Sequence, residues 1–216
     1  MTTDIRIERA GHLYERAVFT GDTDALTVAE VGLDAAEADL ALARGRLVHA
    51  RFLDDRVEDA RELELFERAA ELYARLGDAR GEGEALFWIG TFHQVVREDT
   101  PTALPAFERA LELATKAGDR LTLSYVLRHL GFAEQYAGRP EAALPLFEES
   151  TRLRRELDFR PGVAANLIAL AHVAADQQRP ADATALLAEA DTLAAACEAH
   201  AVRRWVTEAR ERLDLS

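Results

Sequence analysis

The strongest constraint on the fold of this chain is a sixteen-residue pattern that returns at a nearly constant step. It reads "LFERAAELYARLGDAR" from Leu65, "AFERALELATKAGDRL" from Ala106, "LFEESTRLRRELDFRP" from Leu146 and, weaker, "LLAEADTLAAACEAHA" from Leu186. Its second residues are 41, 40 and 40 positions apart, at Phe66, Phe107, Phe147 and Leu187. A fixed period of this length indicates a repeat architecture, in which each unit covers the apolar face of its neighbour.

A second apolar pattern of helical spacing precedes each copy and carries one small residue at Gly90, Gly131 or Ala171. A glycine inside a helix costs about 1 kcal/mol relative to alanine. Its periodic return therefore predicts that a neighbouring helix approaches too closely for a larger side chain. The apolar residues show no strand-like alternation and no hairpin dipeptides, so the sequence predicts an all-α fold.

Prolines mark where the second helix of each pair begins. Pro101, Pro140 and Pro180 fall at the expected first turn, where proline loses no helical hydrogen bond. The units are therefore predicted to be helix-turn-helix hairpins. Pro105 and Pro145 lie one turn further along and predict a local bend.

The combination of small residues, a fixed aromatic and a Gly/Pro turn resembles the tetratricopeptide repeat. The residues that carry the resemblance best are Gly131, Gly138, Pro140, Ala143, Phe147 and Ser150. The units exceed the family's 34 residues and are similar to the long-helix variant with a Gly-Asp loop found in large bacterial regulators and kinesin light chains. The resemblance implies a right-handed superhelical solenoid whose inner helices line a concave groove.

The sequence shows no linker or low-complexity tract, which favours one domain over residues 1–216. Within it we expect a degenerate hairpin over residues 1–35, about four repeats over residues 36–199 and a capping helix over residues 200–216. The first repeat departs from the pattern, because His49 stands where the small residue is expected.

Charge and composition disfavour several classes of partner and indicate the cellular compartment. A net charge of −13 and a pI near 4.9 disfavour nucleic acid and anionic membrane as partners. The single cysteine, Cys197, allows no intramolecular disulfide. The amino terminus has no uninterrupted apolar run of a signal peptide or membrane span, so we expect a cytoplasmic protein. The near absence of lysine suggests a GC-rich bacterial genome.

Candidate binding residues follow from the positions around each small residue that share one helical face. They predict a groove of mixed aromatic, cationic and amide character. The set is Arg46, Phe87, Thr91, Gln94, Tyr125, Arg128, Phe132, Gln135, His172 and Asp176. Gln94 and Gln135 occupy matched places, and paired amides can bond the backbone of an extended peptide. The alternative for Phe87 and Phe132 is that they pack between neighbouring helices.

Two pairs of titratable residues have both a structural and a catalytic interpretation. His93 and Glu134 occupy matching places in consecutive units and favour a buried structural pair. His172 and Asp176, at i and i+4, could form either a surface pair or an oriented acid–base group. The interior histidines lack the spacing of a zinc motif, and no phosphate loop or nucleophile motif occurs. We therefore expect no metal, no cofactor and no catalytic residues.

Three functional hypotheses remain open at this stage. The first is a non-catalytic module that binds a peptide or protein segment in the groove. The second is a sensor of a small molecule or signal peptide, which a closed pocket around Tyr125, Arg128, His129 and His172 would favour. The third is a biosynthetic enzyme on a repeat scaffold. If the last helix leaves Val202 and Trp205 open, a homodimer through the carboxy end is a further expectation.

Overall fold

The computed structural model describes residues 4–214, and its regular secondary structure is helical throughout. The first three and last two residues of the predicted domain lie outside the described residues. The helices are α1 (Ile5–Thr20), α2 (Asp24–Asp55), α3 (Arg61–Leu76), α4 (Ala79–Thr91), α5 (Thr100–Ala117), α6 (Arg120–Tyr136), α7 (Pro140–Glu156), α8 (Arg160–Asp176), α9 (Pro180–Ala196) and α10 (His200–Arg212). A π-helical segment, Phe92–Val96, continues α4. The prediction of an all-α fold is confirmed.

The chain forms two compact units that divide between Ala117 and Gly118. The first contains α1 to α5 and the second α6 to α10, and within each unit consecutive helices pack on one another. Each unit has its own apolar core, centred on Phe66 and Leu72 in the first and on Phe147, Leu167 and Leu187 in the second. The assignment of the whole chain to a single domain stays a prediction.

The periodic glycines lie against the periodic phenylalanines, as expected. A Cβ atom added to Gly90 would lie 2.6 Å from the ring of Phe107, and one added to Gly131 would lie 2.8 Å from that of Phe147. Both rings are fully buried. The helices of each hairpin therefore approach at this contact as closely as the bare backbone of glycine permits.

The register expected for the first repeat is wrong. Gly45, and not His49, contacts the repeat phenylalanine, because a Cβ on Gly45 would lie 2.5 Å from the ring of Phe66. α2 continues further beyond Gly45 than α4 and its π-helical segment continue beyond Gly90, so the small residue lies one helical turn earlier than the 41-residue step predicts. His49 is consequently free to face another part of the core.

α2 crosses residue 35, where the sequence predicted the boundary between a degenerate hairpin and the first repeat. It runs without interruption from Asp24 to Asp55. Its first part packs on α1 and its second part on α3, so one helix serves both hairpins. The prolines behave as predicted in position: Pro140 and Pro180 begin α7 and α9, and Pro101 lies in the first turn of α5.

The Gly-Asp loops before α4 and α6 start these helices with a left-handed glycine and an aspartate cap. Gly77 adopts φ +70°, a left-handed conformation that suits glycine, and the Asp78 carboxylate accepts hydrogen bonds from the N–H groups of Arg80 and Gly81. Asp119 caps α6 in the same way. Before α8 the left-handed residue is Asp158, and Phe159 takes the capping position without a side-chain hydrogen bond.

Candidate functional site

α6 presents a row of aromatic and cationic side chains along one face of the second unit. Tyr125, Arg128, Phe132 and Tyr136 follow at steps of three, four and four residues, which keeps them on one side of a helix. The first three are partly buried, whereas Tyr136 is 71% exposed. The Arg128 guanidinium carbon lies 4.6 Å from the centre of the Phe132 ring, and Phe132 stacks on Tyr136 at 6.1 Å between ring centres.

Arg128 is held in place from α8. Its Nη1 donates to the backbone oxygen of Ala165 at 2.9 Å and to Oδ1 of Asn166 at 2.7 Å. Burial, with a smaller contribution from repulsion by the nearby Arg154, lowers the pKa of Arg128 to about 9. Arg128 is therefore a positioned cation in surroundings that do not favour its charge.

Arg154, on α7, is the second cation of this region and is only 2% exposed. Its Nη1 donates to the backbone oxygen of Gly162 and to Oδ1 of Asn166, both at 2.9 Å. Its guanidinium carbon lies 4.7 Å from the centre of the Tyr125 ring. Burial lowers the pKa of Arg154 to about 10. Among the residues that the structure describes, its Nη2 has no hydrogen-bond partner.

Asn166 joins the two arginines and carries the network into the core. Its single amide oxygen accepts from both guanidinium groups, and its Nδ2 donates to Oγ of Ser150 at 2.8 Å. Within residues 4–214 no carboxylate bonds either guanidinium group, so two positive charges share a neutral acceptor. Sequence reasoning missed Arg154 and Asn166. Asn166 could have been found as the only polar residue in the apolar run "GVAANLIALA".

Two predicted site residues, Gln135 near the end of α6 and Asp176 at the end of α8, are hydrogen-bonded to each other. Nε2 of Gln135 donates to Oδ2 of Asp176 at 2.9 Å. No hydrogen bond joins His172 to Asp176 in the part of the chain that the structure describes. Burial lowers the pKa of His172, with a smaller contribution from Arg212, while Asp176 acts in the opposite direction. Asp176 is thus engaged by an amide and does not orient the imidazole.

In the first unit, three predicted groove residues are buried. Phe87 and Thr91 are each 2% exposed, and Gln94 is 6% exposed. Phe87 packs edge-on against Trp88 and is tilted against Phe107, and the Thr91 hydroxyl donates to the backbone oxygen of Phe87 at 3.0 Å. Their side chains therefore belong to the packing of the chain, which corresponds to the alternative given above for Phe87.

Arg46 is the predicted residue of this unit that lies on the surface. It forms an ion pair with Glu84 at 3.2 Å, and its guanidinium carbon lies 5.9 Å from the Trp88 ring. The side chains of Arg46 and Glu84 line an open cavity of about 270 Å³ together with Asp39, Tyr73 and Arg80. Charges of both signs occur in this cavity, so it has no single electrostatic preference.

The buried His–Glu pair of this fold is one that the sequence did not reveal. Nδ1 of His49 lies 2.7 Å from Oε1 of Glu62, and the two residues are 5% and 0% exposed. The edge of Trp88 covers the imidazole at 5.2 Å between ring centres. Glu134, expected to pair with His93, has Arg139 as its partner at 2.6 Å, and this contact lowers the pKa of Glu134.

Three further predictions from the sequence concern a metal site, a membrane-spanning helix and the apolar face of α10. The described residues contain no group of three potential metal-ligating side chains, and none of their helices is long and apolar enough to cross a membrane. Val202 and Val206 of α10 are buried in the core of the second unit, and Trp205 is 41% exposed. The condition for a homodimer through the carboxy end is therefore not met at Val202, which the chain's own helices cover, while Trp205 stays partly exposed.

Comparison with known proteins gives one family. The tetratricopeptide repeat model matches residues 82–156 and again residues 122–196, and together the two matches span more than half of the chain. The search of curated proteins finds no match. The matched segments contain the Gly–Phe contacts at Gly90 and Gly131 and the hairpins from α4 to α9. The chain therefore belongs to the tetratricopeptide repeat family.

Proposed function

We propose that this protein is a non-catalytic binding module whose second unit holds a peptide or protein segment along α6 and the adjoining part of α8. Tetratricopeptide repeats generally mediate protein–protein interaction, and the family is typically a non-enzymatic scaffold. The observation that carries the proposal is the row of Tyr125, Arg128, Phe132 and Tyr136. Tyrosine and arginine dominate the energetics of protein interfaces because each combines a large contact area with a polar group.

The chemistry of the row indicates an acidic segment. Arg128 and Arg154 lie in surroundings that lower both pKa values, and neither has a carboxylate partner in the described structure. A carboxylate of the bound segment would supply the missing counter-charge next to Arg128, in a region where water competes weakly. Tyr136 would supply an exposed apolar surface at the outer end of the row.

The amide contact at the end of the row supports the same mode. Gln135 is partly exposed, Asp176 is exposed, and the two side chains bond each other. An extended peptide can exchange this bond for bonds to its own backbone, because an amide both donates and accepts. The proposed face therefore offers charge recognition at Arg128, apolar contact at Phe132 and Tyr136, and backbone recognition at Gln135.

The test is selection of peptides from a random displayed library on the intact chain, followed by calorimetry with a selected peptide. We expect the selected peptides to carry an acidic residue, and Tyr136→Ala to weaken binding by at least tenfold, as loss of an aromatic contact that carries much of the binding energy does. Arg128→Gln should weaken binding further and remove the preference for an acidic residue.

The matched control is Arg152→Ala, which removes an exposed arginine of α7 whose ion pairs are with Glu149 and Glu156. It should leave peptide affinity unchanged. Circular dichroism of every variant verifies that the helices persist. The proposal fails if no peptide is enriched, or if the enriched peptides bind Tyr136→Ala and Arg128→Gln as tightly as the original chain.

A further inference from the structure

The exposed apolar surface of this protein is concentrated at its amino-terminal end. Of the seventeen large apolar side chains that are exposed in the described residues, thirteen lie between Ile5 and Val57. α1 contributes no buried residue. Apolar surface gathered in one region in this way is characteristic of an interaction site, because scattered single residues would be spread over the whole chain.

Within this region, four leucines of α2 recur every seventh residue. They are Leu26, Leu33, Leu40 and Leu47, exposed by 43, 41, 49 and 62%. Alanines follow three positions after each leucine, at Ala29, Ala36, Ala43 and Ala50. A seven-residue repeat of apolar side chains keeps one stripe facing a partner helix, which is the pattern of a helix–helix seam.

The leucine stripe lies away from the side of α2 that packs on α3. The buried residues in the second part of α2 include Ala38, Leu42, Gly45 and His49. At 100° per residue, these positions are roughly opposite Leu40 and Leu47 on the helix. α3 therefore covers one side of α2. α1 packs beside the first part of the stripe, where Ala25 and Ala29 are buried, and the four leucines themselves stay 41–62% exposed.

The charges beside the stripe have a definite order. The positions four residues after each leucine are Glu30, Glu37, Arg44 and Arg51, so the first half of the stripe is flanked by acids and the second half by arginines. The side chains of Glu30, Arg44 and Arg51 form no hydrogen bond with another described residue, and that of Glu37 bonds Arg68. A partner helix of opposite polarity would complement this order along its whole length.

We infer that the leucine stripe of α2 binds the same stripe of a second copy of this chain, with the two helices antiparallel. A two-fold axis next to Leu40 places Leu40 against its own counterpart and Leu33 against Leu47 of the second copy. The same register places Glu37 within one residue of the position opposite Arg44, and Glu30 within one residue of that opposite Arg51. One axis thus satisfies the apolar and the charged positions together, as a self-complementary interface requires. From Glu30 to Arg51 the contact is about 33 Å long.

This interface is separate from the peptide-binding face of the second unit and does not depend on it. It also differs from the carboxy-terminal contact expected from the sequence, because Val202 and Val206 are buried in the second unit. A parallel pairing would place this charged flank of the two copies on opposite sides of the seam, so the acids of one copy would not meet the arginines of the other.

The test is sedimentation equilibrium of the full chain from low micromolar to about 1 mM. We expect a dimer, and the double variant Leu40→Glu/Leu47→Glu should raise its dissociation constant by about 100-fold or more, since charge replaces the apolar centre. Both leucines are exposed, so the variant should keep its helicity. The control is Leu53→Glu, at an equally exposed leucine of the same helix outside the seven-residue series.

A charge exchange tests the antiparallel register. Glu30→Arg and Arg51→Glu should each weaken the dimer, and the chain that carries both changes should recover the original affinity, because the opposed pairs are restored with reversed sign. A chain that is monomeric over the whole range overturns the inference. So does a dimer that tolerates the double leucine variant, or a double charge exchange that fails to recover.

Discussion

The substitution Asn166→Ala tests the role of the polar network in the second unit. The Asn166 side chain is fully buried and makes three hydrogen bonds, two of them from guanidinium groups. Alanine removes the acceptor that Arg128 and Arg154 share, while each arginine keeps one backbone oxygen, of Ala165 or Gly162. Two positive charges are then left with fewer partners in a region that excludes water.

The magnitude follows from the number and kind of bonds lost. A hydrogen bond to a charged group contributes about 1.5–3 kcal/mol, and a neutral one about 1 kcal/mol. Because the backbone oxygens still serve both guanidinium groups, the full sum is not reached, and we expect the free energy of unfolding to fall by about 3–5 kcal/mol. Gln135→Ala removes an exposed hydrogen bond and should cost less than about 0.5 kcal/mol.

Urea unfolding followed by Trp205 fluorescence in a Trp88→Phe background reports on the second unit, since these are the two tryptophans of the chain. The Asn166→Ala change should lower the midpoint without changing the slope of the transition. A loss below about 1 kcal/mol would refute the reasoning. It would mean that the two guanidinium groups obtain their stabilisation from the backbone oxygens and the aromatic rings alone.

Two further predictions concern the repeat contact and the pH dependence. Gly131→Ala should destabilise the second unit by about 1–3 kcal/mol in urea unfolding, because its Cβ meets the buried Phe147 ring at 2.8 Å. Gly11→Ala, in open space on α1, should instead stabilise the protein by about 1 kcal/mol. An equal response of the two glycines would contradict the close-contact argument. Burial lowers the pKa of His172 below its usual 6.5, so the unfolded chain binds more protons and stability is lost as the pH falls below 6.5. The unfolding midpoint of His172→Gln should therefore decline less between pH 7 and pH 5 than that of the original chain, and parallel declines would show that this imidazole does not contribute.

The sequence predicted local structure well where one residue type meets one steric requirement. The Gly90–Phe107 and Gly131–Phe147 contacts, the prolines at the starts of α7 and α9, and the Gly-Asp loops all follow from backbone conformation and side-chain size. The predicted register of the first repeat was wrong because α2 continues further past its small residue, Gly45, than the corresponding helix of the next repeat does past Gly90. A period alone does not reveal such a shift, since His49 is also compatible with a helix.

The candidate site was only partly predictable for a related reason. Arg128, Phe132, Gln135 and Tyr125 were found from helical spacing, which fixes the face of a single helix. Arg154 was missed, because an arginine on α7 has no sequence signature that distinguishes a buried network from a solvated surface.

The sequence by itself determined the all-α repeat, its period and the starts of α5, α7 and α9 at their prolines, because these depend on contacts between residues close in the chain. Only the tertiary structure decided which polar groups meet. Arg128 and Arg154 converge on Asn166, and His49 meets Glu62, because packing brings together helices whose residues lie twelve to thirty-eight positions apart. Burial then fixes the conformations of these polar side chains, since a charged group removed from water must form its hydrogen bonds within the protein.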